Sequence, residues 1–455
     1  MIHESVSSLA NVRFVDDLIY TAVFSGDAAT KAEARKQIHL RARRAGAVPT
    51  SIYPLYQALG RNEISRLFTV PAFNIRALTY DVARALFRAA MRHDVGPFIF
   101  EIARSEIGYT DQRPAEYAAC VLAAALAENY KGPVFIQGDH FQASAKKWGT
   151  DEGRKAEIKA LESLIDEAIS AEFYNIDIDT STLVDLSFPT RDEQQRTNYM
   201  YTAHFTRYIR ARQPHGIEVS IGGEIGEVGK YNTQPDEVRA YVDGLRRELG
   251  GDVGIAKISV QTGTSHGGVP MADGSIAEAK IDFGVLRQTT AICRSEYRIA
   301  GSVQHGASTL PEDVFNKFPE NDAVEIHLAT GFQNMILDAP TLPPAMKDAI
   351  RQFCFDQCAD ERKDGETDEQ FVYKTRKKAI GPFKRRLWEL DAASKGPIIE
   401  AMEKKFEFLM EKLAVWNTRD LLDRYVRAET TELPEYAAAS AELTAAAAVD
   451  PNEGE

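Results

Sequence analysis

Three of the nine histidines, His140, His266 and His305, each follow a short apolar run and stand beside glycine or a carboxylate. A histidine of this kind taken alone is most often a satisfied structural residue. Three that meet at one rim, with Asp139, Asp177, Asp179 and Glu224 close by in the same runs, form a donor set for a catalytic divalent metal that keeps an open coordination position. Imidazole mixed with carboxylate suits Zn2+, and equally Mn2+, Co2+ or Fe2+. A second chemical element is the glycine and hydroxyl content beside these ligands. Gly267 and Gly268 follow His266, Gly306 and Ser308 follow His305, and Thr330-Gly331 ends a further run. Glycine lets backbone N–H groups approach an anion closely, so these loops are candidates for cradling phosphate; their plain alternative is a set of tight turns.

Residues this far apart in sequence must be brought together by the fold. Apolar, β-branched runs recur at 70–74, 97–103, 133–139, 173–179, 216–226, 255–263, 298–306 and 323–331, and several are almost continuously hydrophobic, as strands buried on both faces are. Amphipathic stretches lie between them, including 81–92, 114–130, 154–170, 235–249 and 283–293. Eight strand–helix repeats predict an α/β protein built on a (β/α)8 TIM barrel, whose C-terminal strand ends converge on one rim where the histidines would meet. An open doubly wound sheet also alternates in this way, but no glycine-rich dinucleotide fingerprint follows the first strand. The expected organisation is an N-terminal helical extension over 1–69, the barrel over 70–340, a C-terminal helical extension over 341–434, and a tail over 435–455 with too few large apolar groups to fix a structure.

With those motifs in order, the chain resembles the class II, metal-dependent fructose- and tagatose-bisphosphate aldolases over about residues 70–335. The segments that carry the resemblance are VPAFNI (70–75), GDH (138–140), YNIDID (174–179), GGEIG (222–226), GTSHGG (263–268) and HGAST (305–309). The resemblance implies that Asp139 is the catalytic acid/base and that His140, Glu224, His266 and His305 are metal ligands, with Asp177 near a second metal position. It implies substrate and phosphate contacts from Asn74, Gly267, Gly306, Ser308, His327 and Thr330. The implied reaction is cleavage or formation of a ketose (bis)phosphate, such as fructose 1,6-bisphosphate or tagatose 1,6-bisphosphate, to dihydroxyacetone phosphate and an aldehyde. The metal would act as Lewis acid toward the enediolate left by C–C cleavage. A homo-oligomer, dimer or tetramer, is implied as well.

The chain also departs from the pattern. Val269-Pro270 stands where the family often has Tyr-Lys, Glu101-Ile102-Ala103 where it has Gln-x-Ser, and His327 where it has Asn. The EIARSE segment is more similar to the companion, non-catalytic subunit of tagatose-bisphosphate aldolase, which makes a non-catalytic partner subunit the alternative function. Retention of the ligand set and of Asp139 argues for the enzyme. A metal-dependent hydrolase ranks last, because VPAFNI lacks the His-x-His that such barrels place on their first strand. Glu227 is the nearest counterpart of a mobile-loop carboxylate, Lys257 is a buried ion-pair partner as readily as a reactive amine, and Arg104 or the basic run 374–386 is available for a second anion.

Bulk properties narrow the setting. In 455 residues with 44% hydrophobic content there is no apolar run of the roughly 18 residues that reads as a membrane span. The first residues do not read as a signal peptide, and four cysteines do not suggest a disulfide framework, so a reducing cytoplasm is expected. Cys354 and Cys358 read as two buried thiols. The net charge of −13 owes about half to residues 428–455, which hold seven acidic side chains and no Lys or Arg. The one basic run, KTRKKAIGPFKRR, is too narrow for a nucleic-acid surface. A small phosphorylated sugar is the expected partner.

Overall fold

Val70–Asn74 (β2), Ile99–Ala103 (β3), Gly132–Gln142 (β4), Asn175–Asp179 (β5), Ser220–Glu224 (β6), Lys257–Val260 (β7), Ser302–Gln304 (β8) and Glu325–Leu328 (β9) pair in parallel, each with its neighbour in sequence. Pairing of β9 with β2 closes the ring. This (β/α)8 barrel is the architecture of the computed structural model of the chain, which describes residues 2–226, 231–263 and 281–427. Seven of the eight strands fall within the apolar runs read from the sequence, and β4 extends past its run, 133–139, at both ends. Most strand residues are buried, which is why these runs lack an in–out alternation.

One further strand, Ala47–Pro49 (β1), was not expected. It lies beside the start of β4, with Ala47 opposite Gly132, and so extends the sheet at its N-terminal end outside the barrel. Three residues ending in proline carry no periodic signal, and the pairing is made by tertiary placement alone.

The helices of the β/α repeats surround the barrel, and several of their ends are set by side-chain caps. Thr190 and Glu193 form a reciprocal capping box at the start of the helix Arg191–Arg210. That helix buries Gln195, Asn198 and Thr202 together with Tyr199 and Phe205, so its inward face is not an apolar stripe. Asn198 Nδ2 donates to the carbonyl of Glu224 at 2.8 Å and thereby holds the end of β6.

Helices Ile2–Phe24 and Ala28–Ala45 precede the barrel, and Pro344–Gln357, Asp368–Thr375, Ile380–Trp388, Ala392–Lys412 and Arg419–Tyr425 follow it. Side chains from both ends belong to the same apolar core as the barrel. Phe406 meets Phe73 and Phe332 with ring centroids 5.1 and 5.2 Å apart. The basic run is largely consumed in docking: Lys384 pairs with Glu116 at 2.7 Å, Arg385 donates to Tyr20 at 2.7 Å, and Arg376 pairs with Asp338. Cys354 and Cys358 are buried around Phe371 as free thiols. Among the described residues no helix is long and apolar enough to cross a membrane.

Candidate active site

Strand β4 delivers Asp139 and His140 to the rim by an irregularity. Its register with β5 shifts between Gly138 and Phe141, and His140 has φ of +40°. A bulge of this kind re-aims side chains at a strand end, and a positive φ on a non-glycine residue is strain that the surrounding packing must hold. Gly138 is required there, since a Cβ would stand 2.5 Å from the Phe141 ring.

The re-aimed imidazole of His140 meets three carboxylates. Its Nδ1 lies 3.0 Å from Asp179 Oδ2 and 3.3 Å from Glu224 Oε2, while its Nε2 lies 3.8 Å from Asp139 Oδ1. His305, at the end of β8, places its ring centroid 4.2 Å from that of His140 and its Nδ1 3.7 Å from Glu224 Oε1. Ser259 Oγ lies 3.4 Å from His305 Nε2. Ligand atoms of Asp139, His140 and His305, and those of His140, Asp179 and Glu224, each lie within 4.8 Å of one another. His266 and Gly267 lie outside the described residues, as do Glu227 and the tail over 435–455.

The two carboxylates of β5 separate in depth, because residues two apart on a strand share a face at different heights. Asp179, above, faces His140. Asp177, below, faces Lys257 Nζ at 2.9 Å and His327 Nε2 at 3.7 Å. The structure therefore sets Asp179 against His140, while Asp177, the residue singled out from the resemblance, groups with Asp139 and His327. The YNIDID motif alone does not tell the two apart; strand height does.

Beneath the rim the barrel is filled by charge. Lys257 is also bonded to Gln137 Oε1 at 2.8 Å and to Glu325, and Tyr56 donates its hydroxyl to Glu325. Gln137 Nε2 donates to Glu101 and to Glu325, both at 3.0 Å. His327 sits on this layer with Nε2 2.7 Å from Glu325 and Nδ1 3.0 Å from Asp139 and 3.1 Å from Glu101. Glu101 and Glu325 were not anticipated as parts of the site, although two glutamates within otherwise apolar strands are a visible anomaly.

Electrostatics follow from this crowding. Burial would raise the Asp139 carboxyl, but His140 and His327 overcome it and hold it well below the usual carboxylate range. Burial would lower His140, and Asp139 with Glu224 reverses this, raising it well above an ordinary histidine. His305 is pushed down to about 4, first by burial and then by the neighbouring imidazoles. Glu101 is driven up by burial and by Asp139, and Asp177 rises to about 6 by burial, opposed by Lys257. Perturbation in both directions within one cleft is the pattern of a functional site.

Above the ligands a narrow cavity is lined by Asp139, His140, His305, His327, Gly306, Ser308 and Thr330, and by Arg76. Ser308 Oγ accepts the N–H of Gly331 at 3.1 Å, which joins the two loops expected to hold phosphate. Asn74 does not line this cavity; its Nδ2 donates to Glu106 at 2.6 Å. Arg104 turns away to pair with buried Glu157. Arg76 was overlooked in the sequence, where its only signal is a basic residue two places beyond the first strand.

The described donors fit a divalent ion: two imidazoles and three carboxylates converge, and Glu224 is held below the usual carboxylate range against burial by His140 and His305.

A family model described as fructose-bisphosphate aldolase class-II matches residues 61–386. Among solved structures, a fructose-bisphosphate aldolase of Campylobacter jejuni is 17% identical over 82% of this chain and 96% of its own, with a TM-score of 0.47. A fructuronate-tagaturonate epimerase of Cohnella laeviribosi is 11% identical over 87% of this chain and 85% of its own, with a TM-score of 0.52. No curated protein matches the chain.

Proposed function

Because the chain belongs to the class II fructose-bisphosphate aldolase family, we propose that it cleaves or forms a ketose phosphate, releasing dihydroxyacetone phosphate and an aldehyde. The observation that carries this reading is the convergence of Asp139, His140 and His305 on one cavity shared with Gly306, Ser308 and Thr330, with Glu224 grouped against His140.

His140, His305 and Glu224 would hold a divalent metal such as Zn2+, with His266 as the further imidazole that the sequence motif supplies. When bound, such an ion supplies Lewis acidity toward the carbonyl and hydroxyl oxygens of a ketose. Asp139 is ionised at neutral pH, and its role is to take the proton from the hydroxyl at the bond that breaks and to return it in condensation. His327 orients that carboxylate by its contact with Oδ1 at 3.0 Å. Ser308, Thr330 and the backbone at Gly306 receive the phosphate. Asp179 fixes the His140 ring from behind, as a carboxylate commonly does for a ligating imidazole.

The test is a retro-aldol assay on a panel of ketose phosphates, with and without chelator, alongside metal analysis of the purified protein. Cleavage that chelator abolishes and metal restores is expected. Chelator-insensitive cleavage overturns the metal assignment. A protein without bound metal and without activity supports instead a non-catalytic partner subunit.

A further inference from the structure

The cavity above the metal-ligand cluster holds one cationic side chain that no motif assigns. Arg76 lies on the loop after β2 and is 7% exposed. Its Nε and Nη2 are taken by Glu106, at 2.8 and 2.6 Å. That carboxylate is divided among several donors, because it also accepts Asn74 Nδ2 at 2.6 Å and the backbone N–H of Ala103 at 2.7 Å. Glu106 therefore acts as a clamp that fixes the guanidinium plane. The remaining edge, Nη1, is directed at neutral acceptors: Gln333 Oε1 at 3.1 Å and Thr330 Oγ1 at 3.5 Å. Thr330 is one of the hydroxyl groups that line the cavity with Ser308.

A second cation stands behind the first. The Lys377 ammonium lies 5.6 Å from the centre of the Tyr109 ring, and Tyr109 in turn feels the charges of Arg76 and Glu106. Lys377 is pushed down to about 7 by burial and then by Arg76, so an anion arriving nearby would favour its charged form. One clamped guanidinium and the hydroxyls of Ser308 and Thr330 on one cavity make an oxyanion receptor, with Lys377 as a neighbouring charge outside the lining, and guanidinium recognises phosphate oxygens especially well.

We propose that Arg76, backed by Lys377 from the C-terminal extension, is the charge partner for the phosphate group of the substrate and so determines specificity for phosphorylated over neutral sugars. This deepens the aldolase reading and rests on it for the identity of the substrate, though not for the existence of the anion site.

The experiment separates the two. Titration calorimetry with inorganic phosphate is run on the full chain, on Arg76→Lys, on Lys377→Met, and on Glu106→Gln with and without Arg76→Met. The double variant removes the carboxylate that Arg76→Met alone would strand in the core, and Lys377→Met tests the site from a half-buried position. Phosphate is expected to bind the unaltered chain. Binding should weaken about tenfold or more on adding Arg76→Met to Glu106→Gln, severalfold in Lys377→Met, and least in Arg76→Lys, a fold-change of ten corresponding to about 1.4 kcal/mol. Unchanged phosphate affinity in the double variant, or no phosphate binding by the unaltered chain, overturns the proposal. If phosphate binding responds as expected while no ketose phosphate is cleaved, the anion site stands and the aldolase reading falls. If ketose phosphates are cleaved with the same KM by Glu106→Gln and the double variant, the aldolase reading stands and the role of Arg76 falls.

Discussion

At the scale of single residues, the charged layer under the site makes opposite demands on neighbouring side chains. Burial would strip Lys257 of its proton, yet Asp177 and Glu325 raise it instead, so it is an ammonium ion and not a free amine. Replacing it with methionine strands two buried carboxylates. Lys257→Met is therefore expected to lose about 3–5 kcal/mol of stability in urea unfolding. A loss near zero would mean that the layer is hydrated or repacks freely. Asp139→Asn is read in turnover instead: it removes a proton acceptor and keeps the shape, so retro-aldol turnover should fall by about 10²–10⁴-fold. Turnover within a few fold of the unaltered chain would transfer the proton role to another group. The sequence marked Asp139, His140 and His305 because their motifs are local, and it marked Lys257 as an ion-pair candidate because a lysine in an apolar strand needs a counter-charge. It did not mark Arg76, and it named Asp179 only together with Asp177. What distinguishes those two is height on the barrel and direction of the side chain, which depend on strands that are distant in sequence.

At the scale of elements, the strand that faces this layer is built to leave room for it. A Cβ on Gly222 of β6 would stand 2.2 Å from Asp177 Oδ1 and 3.0 Å from Lys257 Cε. Gly222→Ala must therefore push the carboxylate off the ammonium, and a cost of about 1–3 kcal/mol is expected from overpacking. Gly149, with open space around it, is the control, and Gly149→Ala should leave the unfolding midpoint almost unchanged. Equal midpoints for the two variants would show that the barrel interior yields more easily than its packing implies. The eight barrel strands were legible because burial on both faces writes a continuous apolar run. β1 was not legible, since its three residues gain meaning only against β4. The helix Arg191–Arg210 illustrates a second limit. Its buried face carries Gln195, Asn198 and Thr202, which satisfy each other and the end of β6, so a search for apolar periodicity passes over it, whereas the Thr190–Glu193 capping box announces its start.

At the scale of the whole molecule, the segments before and after the barrel are joined to it by buried polar contacts as well as by the common core. The helix Ala28–Ala45 docks through His39 and Arg43, which both bind Glu172 at the end of the helix Asp151–Ser170. His39 Nδ1 lies 2.5 Å from Glu172 Oε2, and the ring is fully buried. Burial, then the charges of Arg43 and Arg35, push this histidine down to about 3, so it is neutral in the fold and donates its Nδ1–H to the carboxylate. The sign of the linkage follows. The unfolded chain protonates this ring near its ordinary value of about 6.5, and the folded chain does not until about pH 3. The contribution of His39 to stability is therefore complete above about pH 6.5 and declines as the pH falls from there toward 3, at up to about 1.4 kcal/mol per pH unit. Unfolding by urea at a series of pH values between 7.5 and 5 should show this decline in the unaltered chain, and His39→Gln, which cannot take up the proton, should show a shallower one. Identical slopes for the two proteins would mean that His39 takes up its proton equally in the folded and unfolded chain, and a steeper decline in His39→Gln would mean that the ring is protonated in the fold and that Glu172 binds an imidazolium.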